Sequence, residues 1–126
     1  MRFITRLAHS FVAGDTSAEA IRAVARLREK GVMSTMDVLG ESVKDRGTAE
    51  KAVAAYLELL DVIQAAGSDA HISLKLTQQG LDIDTEYCYR NLRRILEKAR
   101  AQGVFVRIDM EGTPHTDRTL DLFRRL

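Results

Sequence analysis

The sequence has 126 residues, 45% hydrophobic content and a formal net charge of +1, the composition of one modest soluble domain. The near balance of charge, with no basic arm or charge block, excludes a dedicated nucleic-acid or acidic-membrane binder. Cys88 is the only cysteine, which excludes an internal disulfide and a cysteine-based metal cluster and suits a reducing cytosol.

Phe3, Ile4, Leu7, Ala8, Phe11 and Val12 recur at near-helical spacing and predict a short amphipathic helix that stops near Gly14. This opening segment lacks the continuous apolar core of a signal peptide, and no run approaches the roughly 18 apolar residues of a membrane span. A cytoplasmic protein without a transmembrane segment is expected. Thr16 and Glu19 form a Thr-x-x-Glu capping box, which starts a second helix through Ile21, Val24, Ala25 and Leu27 that ends at Gly31.

A repeating pattern follows. The run Met33-Ser-Thr-Met-Asp-Val-Leu39 predicts a strand, and a helix from Thr48 carries Val53, Tyr56, Leu57 and Leu60 on one stripe and ends at Gly67. The run His71-Ile-Ser-Leu-Lys-Leu-Thr77 alternates strictly and leads to a helix near Thr85 with Cys88, Leu92, Ile95, Leu96 and Ala99, stopping at Gly103. Cys88 lies within that apolar stripe and has the setting of a buried structural thiol. The run Val104-Phe-Val-Arg-Ile-Asp-Met110 alternates again, and Thr113-Pro114 predicts a capped start for a last helix through Leu120 and Phe123.

Each strand-to-strand interval is about 35 residues, too long for a hairpin and right for a crossover helix and a parallel return strand. The chain therefore reads as parallel α/β. Leu39-Gly-Glu-Ser-Val43 lacks the G-x-G-x-x-G of a dinucleotide-binding fold, which weighs toward a barrel over an open doubly wound sheet.

The faces of the strands carry the chemistry. Ile72, Leu74 and Leu76 share one face, with His71, Ser73, Lys75 and Thr77 on the other; Val104, Val106, Ile108 and Met110 oppose Phe105, Arg107, Asp109 and Glu111. A strand of an open sheet, covered on both sides, is apolar throughout, whereas the inner face of a barrel accepts charge near the carboxyl ends of its strands. Lys75 and Asp109 should stand as neighbours at that mouth, where opposite charges suit either a structural ion pair or a site for a zwitterionic small molecule. Asp37 occupies a comparable level, as a mouth-capping or helix-facing aspartate or as a site residue. Arg107, one layer deeper, is expected to be a lumen ion-pair partner. His9, His71 and His115 lack metal-ligand spacing, and His71 fits the start of a strand. Ser73 lacks the glycines of a nucleophile elbow, which argues against a serine hydrolase.

Four segments in register, Phe11-Val-Ala-Gly-Asp15, Asp37-Val-Leu-Gly-Glu41, Ser73-Leu-Lys-Leu-Thr-Gln-Gln-Gly-Leu-Asp82 and Val106-Arg-Ile-Asp-Met-Glu111, resemble bacterial proline dehydrogenase. The resemblance implies a (βα)8 TIM-barrel flavoenzyme that oxidises L-proline to Δ1-pyrroline-5-carboxylate, passing a hydride to FAD and electrons to a membrane quinone. It implies that Lys75 binds the substrate carboxylate. Asp109 would lie by flavin and substrate and orient the site, Met110 would contact the flavin, and Asp37 would stand near the site. A complete barrel takes about 250 residues. Residues 1–126 are thus expected to form the amino-terminal part of one barrel domain, with two short helices before about three βα units. The lone chain is expected to be inactive unless joined by a complementary barrel half, and peripheral at the inner face of the membrane only when complete. The competing expectations are a non-enzymatic remnant that acts by docking to complementary βα units, and another α/β enzyme matched by chance.

Overall fold

The computed structural model describes residues 12–126. The helix expected from Phe3, together with His9 and Phe11, lies outside the described residues. The first described helix, α1 (Ser17–Arg28), begins at the capping box: Thr16 Oγ1 accepts from the Glu19 amide, and Glu19 accepts in return from the amides of Asp15 and Thr16.

Three strands and three further helices follow: β1 (Thr35–Met36), α2 (Arg46–Ala65), β2 (His71–Lys75), α3 (Thr85–Gln102), β3 (Val106–Asp109) and, after a 3-10 turn at Thr113–His115, α4 (Thr116–Arg125). The sheet is parallel in the order β1-β2-β3, as the spacing of the runs predicts. The strands are shorter than the apolar runs. Beyond Met36 the Val38 amide donates to the Tyr56 hydroxyl, and beyond Lys75 the Thr77 amide donates to Glu111, so both chains leave the ladder for side-chain partners.

Two helix starts differ from the expectation. Asp45 caps α2, accepting from the Thr48 amide at 2.8 Å, which moves the start ahead of Thr48. Thr113 makes no capping bond, and Pro114 lies inside the 3-10 turn. Within α4, Thr119 and Leu122 are buried, while Leu120 and Phe123 are exposed. Tertiary ties set that phase, since Arg118 donates to the Leu81 carbonyl and the Tyr89 hydroxyl donates to the Arg125 carbonyl. At the end of α3, Gly103 adopts φ 70°, the left-handed conformation that closes a helix without a Cβ penalty.

The core lies on one side of the sheet. Val53, Tyr56, Leu60 and Ile63 of α2 and Cys88, Leu92, Ile95 and Ala99 of α3 pack on Ile72, Leu74 and Leu76. Burial pushes the Cys88 thiol up to about 12, and nearby Glu111 adds to it, so this cysteine is an inert packing group. The opposite face carries Thr35, His71, Ser73, Lys75, Arg107 and Asp109, of which only Ser73 is buried. Exposed bridges tie the helices outside: Arg94 grips Glu50 with both terminal nitrogens, and Lys98 meets Asp61.

Candidate active site

Strand register brings the predicted charges together. Lys75 pairs with Asp109 and Ser73 with Arg107 across β2 and β3. Because side chains alternate along a strand, Ser73, Lys75 and Asp109 emerge on the same face at the carboxyl edge. Asp109 is held by both oxygens: Oδ1 accepts a very short hydrogen bond from Ser73 Oγ, and Oδ2 lies 3.5 Å from Lys75 Nζ. That second contact is long, and the side chains of Lys75 and Asp109 remain 29% and 40% exposed. Among the described residues the ammonium has no other hydrogen-bond partner, so this contact engages one of its three donors. This is an open charge pair rather than a closed structural bridge.

Asp37 stands one residue past β1, exposed and without a hydrogen-bond partner among the described residues. Met110 follows Asp109 and is 54% exposed. One layer deeper, Arg107 Nη1 donates to Thr35 Oγ1 at 3.0 Å and meets His71 Nδ1 at 3.1 Å, while its guanidinium lies over the Phe105 ring. The expected ion pair of Arg107 is thus corrected: none of its partners among the described residues is an acid, because the acids of this face stand one layer higher. His71 opens β2 as expected.

Several contributors escape the sequence reading. Tyr56 of α2, fully buried, donates to the Ser73 carbonyl at 2.8 Å and accepts from the Val38 amide at 3.3 Å. Burial raises its phenol well above the ordinary tyrosine range, and the charges of Asp37 and Asp109 raise it further. Thr77 gathers the loops above the sheet. Its Oγ1 accepts from the Ser42 amide at 2.9 Å and donates to Glu111 Oε1 at 2.5 Å, and its amide donates to Glu111 Oε2 at 3.0 Å. Alternation placed Ser73 on the face of Lys75 and Asp109, while Thr77 lies in the turn past β2, and no sequence signal gave either its partners.

Asp82 binds three side chains from the segments around it: Lys44 at 2.8 Å, His115 Nε2 of the 3-10 turn at 2.9 Å and Arg118 of α4 at 3.2 Å. It thereby joins the segments that follow β1, β2 and β3. Its carboxyl is held at about 2, below the ordinary 3.8, first by Lys44 and then by His115 and Arg118, against the opposing effect of partial burial. A depressed folded-state value contributes stability above the ordinary carboxylate range that is lost as pH falls from near 4 toward 2. Asp82→Asn is expected to lower stability at neutral pH by about 1–2 kcal/mol, screening by the exposed Lys44 having been discounted. Denaturant titrations of both chains across acid pH should converge near pH 2; a difference independent of pH removes this account.

A cavity of about 330 Å³ lies at the opposite, amino-terminal edge of the strands, lined by Ser68, Asp69, His71 and Gln102 among others. The charged group above is at the other edge, where parallel α/β enzymes place their chemistry. No helix among the described residues is long and apolar enough to cross a membrane.

A model of the family described as proline dehydrogenase matches residues 20–126. Proline dehydrogenase 1 of Bacillus subtilis subsp. natto is 38% identical over 122 residues, covering 96% of this chain and 40% of the relative. Proline dehydrogenase of Deinococcus radiodurans is 36% identical over 123 residues, covering 95% of this chain and 40% of the relative. A crystal structure of proline utilization A from Bdellovibrio bacteriovorus, inactivated by N-propargylglycine, superposes with a TM-score of 0.82 over 91% of this chain and 14% of that one, at 22% identity, and shows the same fold. The chain thus spans about 40% of the length of these two curated relatives. With the family model covering residues 20–126 and relatives of the same name aligned along nearly all of the sequence, this chain belongs to the proline dehydrogenase family.

Proposed function

We propose that this chain supplies the first three strand-helix units of a (βα)8 barrel that oxidises L-proline to Δ1-pyrroline-5-carboxylate. Residues 1–126 form the amino-terminal part of a single barrel domain in this reading, and further units complete it. The observation that carries it is the open Lys75–Asp109 pair at the carboxyl edge of adjacent parallel strands. Proline is a zwitterion, so its recognition needs charges of both signs within a few ångströms. The free donors of Lys75 bind the substrate carboxylate. Asp109, fixed by Ser73, orients the site and faces the substrate nitrogen, with Asp37 adding negative charge nearby.

FAD, when bound, supplies the acceptor for the hydride that leaves proline, and the electrons go on to a membrane quinone. Two of the residues present would help to hold it: Asp109 would offer hydrogen-bond acceptors, and exposed Met110 beside it an apolar contact. They do not form a cradle for the pyrophosphate, since Leu39-Gly-Glu-Ser-Val43 lacks the glycine pattern of such a loop. The remaining flavin contacts therefore come from the other units of the barrel. The complete protein works in the cytoplasm and docks peripherally on the inner membrane face to reach quinone.

The test is complementation. The chain is co-expressed with the portion of the Bacillus subtilis relative that it does not match, and the purified complex is examined for flavin absorbance. Absorbance that is bleached by proline is the expected result. The 126-residue chain by itself is expected to retain no flavin, because a few groups on one edge cannot offset the freedom lost by an immobilised ligand. A flavin-loaded complex that proline leaves oxidised overturns the reading.

A further inference from the structure

We infer that Tyr56 is a positioning residue, whose hydroxyl sets where Asp37 and Asp109 stand at the carboxyl edge of the sheet. The inference deepens the proposed reading of that edge and rests on it for its functional meaning. Tyr56 belongs to α2 on the core side of the sheet and is 1% exposed. Its ring packs among apolar neighbours, and its one polar atom ends between β1 and β2. Those strands pair only at Thr35 with His71 and Met36 with Ile72. Past Met36 the Tyr56 hydroxyl takes over, accepting from Val38 on one side and donating to Ser73 on the other.

Each of these bonds reaches a carboxylate by one further step. Val38 is the residue after Asp37, so holding its amide fixes the plane of the peptide that joins them. Ser73, whose carbonyl is bound by Tyr56, holds Asp109 through its own Oγ. One buried hydroxyl thus controls the spacing of two acids, Asp37 just past β1 and Asp109 at the end of β3. Both acids are near enough for their charge to act on the phenol. A tyrosine serving the core alone would need its ring and any single partner; two backbone partners, one past the end of β1 and one in β2, each joined to a site acid, exceed that need.

The experiment uses the full 126-residue chain with 13C-labelled aspartate carboxyls. Tyr56→Phe is expected to speed hydrogen exchange of the Val38 amide by about tenfold or more, since an amide without its acceptor loses protection. It should also move the carboxyl resonances of both Asp37 and Asp109, while the methyl resonances of Leu92 and Ile95 keep their wild-type positions. Unchanged Val38 exchange, or faster exchange with both carboxyl resonances unmoved, overturns the inference. Should Tyr56→Phe fail to fold, 3-fluorotyrosine at position 56 keeps both bonds with a more acidic hydroxyl, and two unmoved carboxyl resonances overturn it equally. Neither measurement needs flavin or proline. Failure of the complementation test therefore leaves this result standing, and failure here leaves proline oxidation untouched.

Discussion

Leu74→Ala is expected to lower the unfolding free energy by about 3 kcal/mol, within the range for a large aliphatic side chain removed from a packed core. Leu74 is 1% exposed in the central strand and points into the layer formed with α2 and α3. Its neighbours Ser73 and Lys75 point the other way and make the contacts with Asp109. The loss is large for one residue because small domains hold only about 5–15 kcal/mol in total. Chemical denaturation of the two chains measures it. A cost below about 1 kcal/mol would mean that the facing helices collapse into the space, and that the core is looser than its burial indicates.

That separation of faces was legible in the sequence, because a strict period of two in β2 and β3 divides apolar from polar residues without reference to any other part of the chain. Parallel order followed from the length of the crossovers. The pairing of Lys75 with Asp109 was legible for the same reason: equal height on consecutive strands makes neighbours. The roles of Tyr56, Thr77 and Asp82 were not. Tyr56 occupies an ordinary position in the apolar stripe of α2, and only the seating of that helix on the sheet brings its hydroxyl to Val38 and Ser73. Asp82 meets partners 38, 33 and 36 residues away, a distance over which pattern carries no information. Arg107 shows the converse error. Its charge suggested an acid partner, yet its length carries the guanidinium back toward Thr35, away from the acids above. The buried face of α4 was not legible, because periodicity gives a helix its stripe but not its phase, which the contacts of Arg118 and Tyr89 determine.

In the complemented, flavin-loaded protein, Lys75→Ala should raise the KM for proline by about 30-fold, with flavin content unchanged. The magnitude follows from a charge-assisted hydrogen bond to a carboxylate, worth about 2 kcal/mol at a partly exposed site. The present geometry supports an affinity effect because the Asp109 contact is long and Lys75 retains free donors, so substrate need not break a strong bridge to bind. Asp109 keeps its Ser73 bond in the variant, which limits the disturbance to the lost cation. Lys75→Arg should recover part of the affinity, since guanidinium also binds a carboxylate but is broader and differently placed. An unchanged KM in Lys75→Ala would remove Lys75 from the substrate site. Equal loss of flavin and of proline binding would instead assign the lysine to the fold of the edge, leaving the substrate carboxylate to cations elsewhere in the barrel.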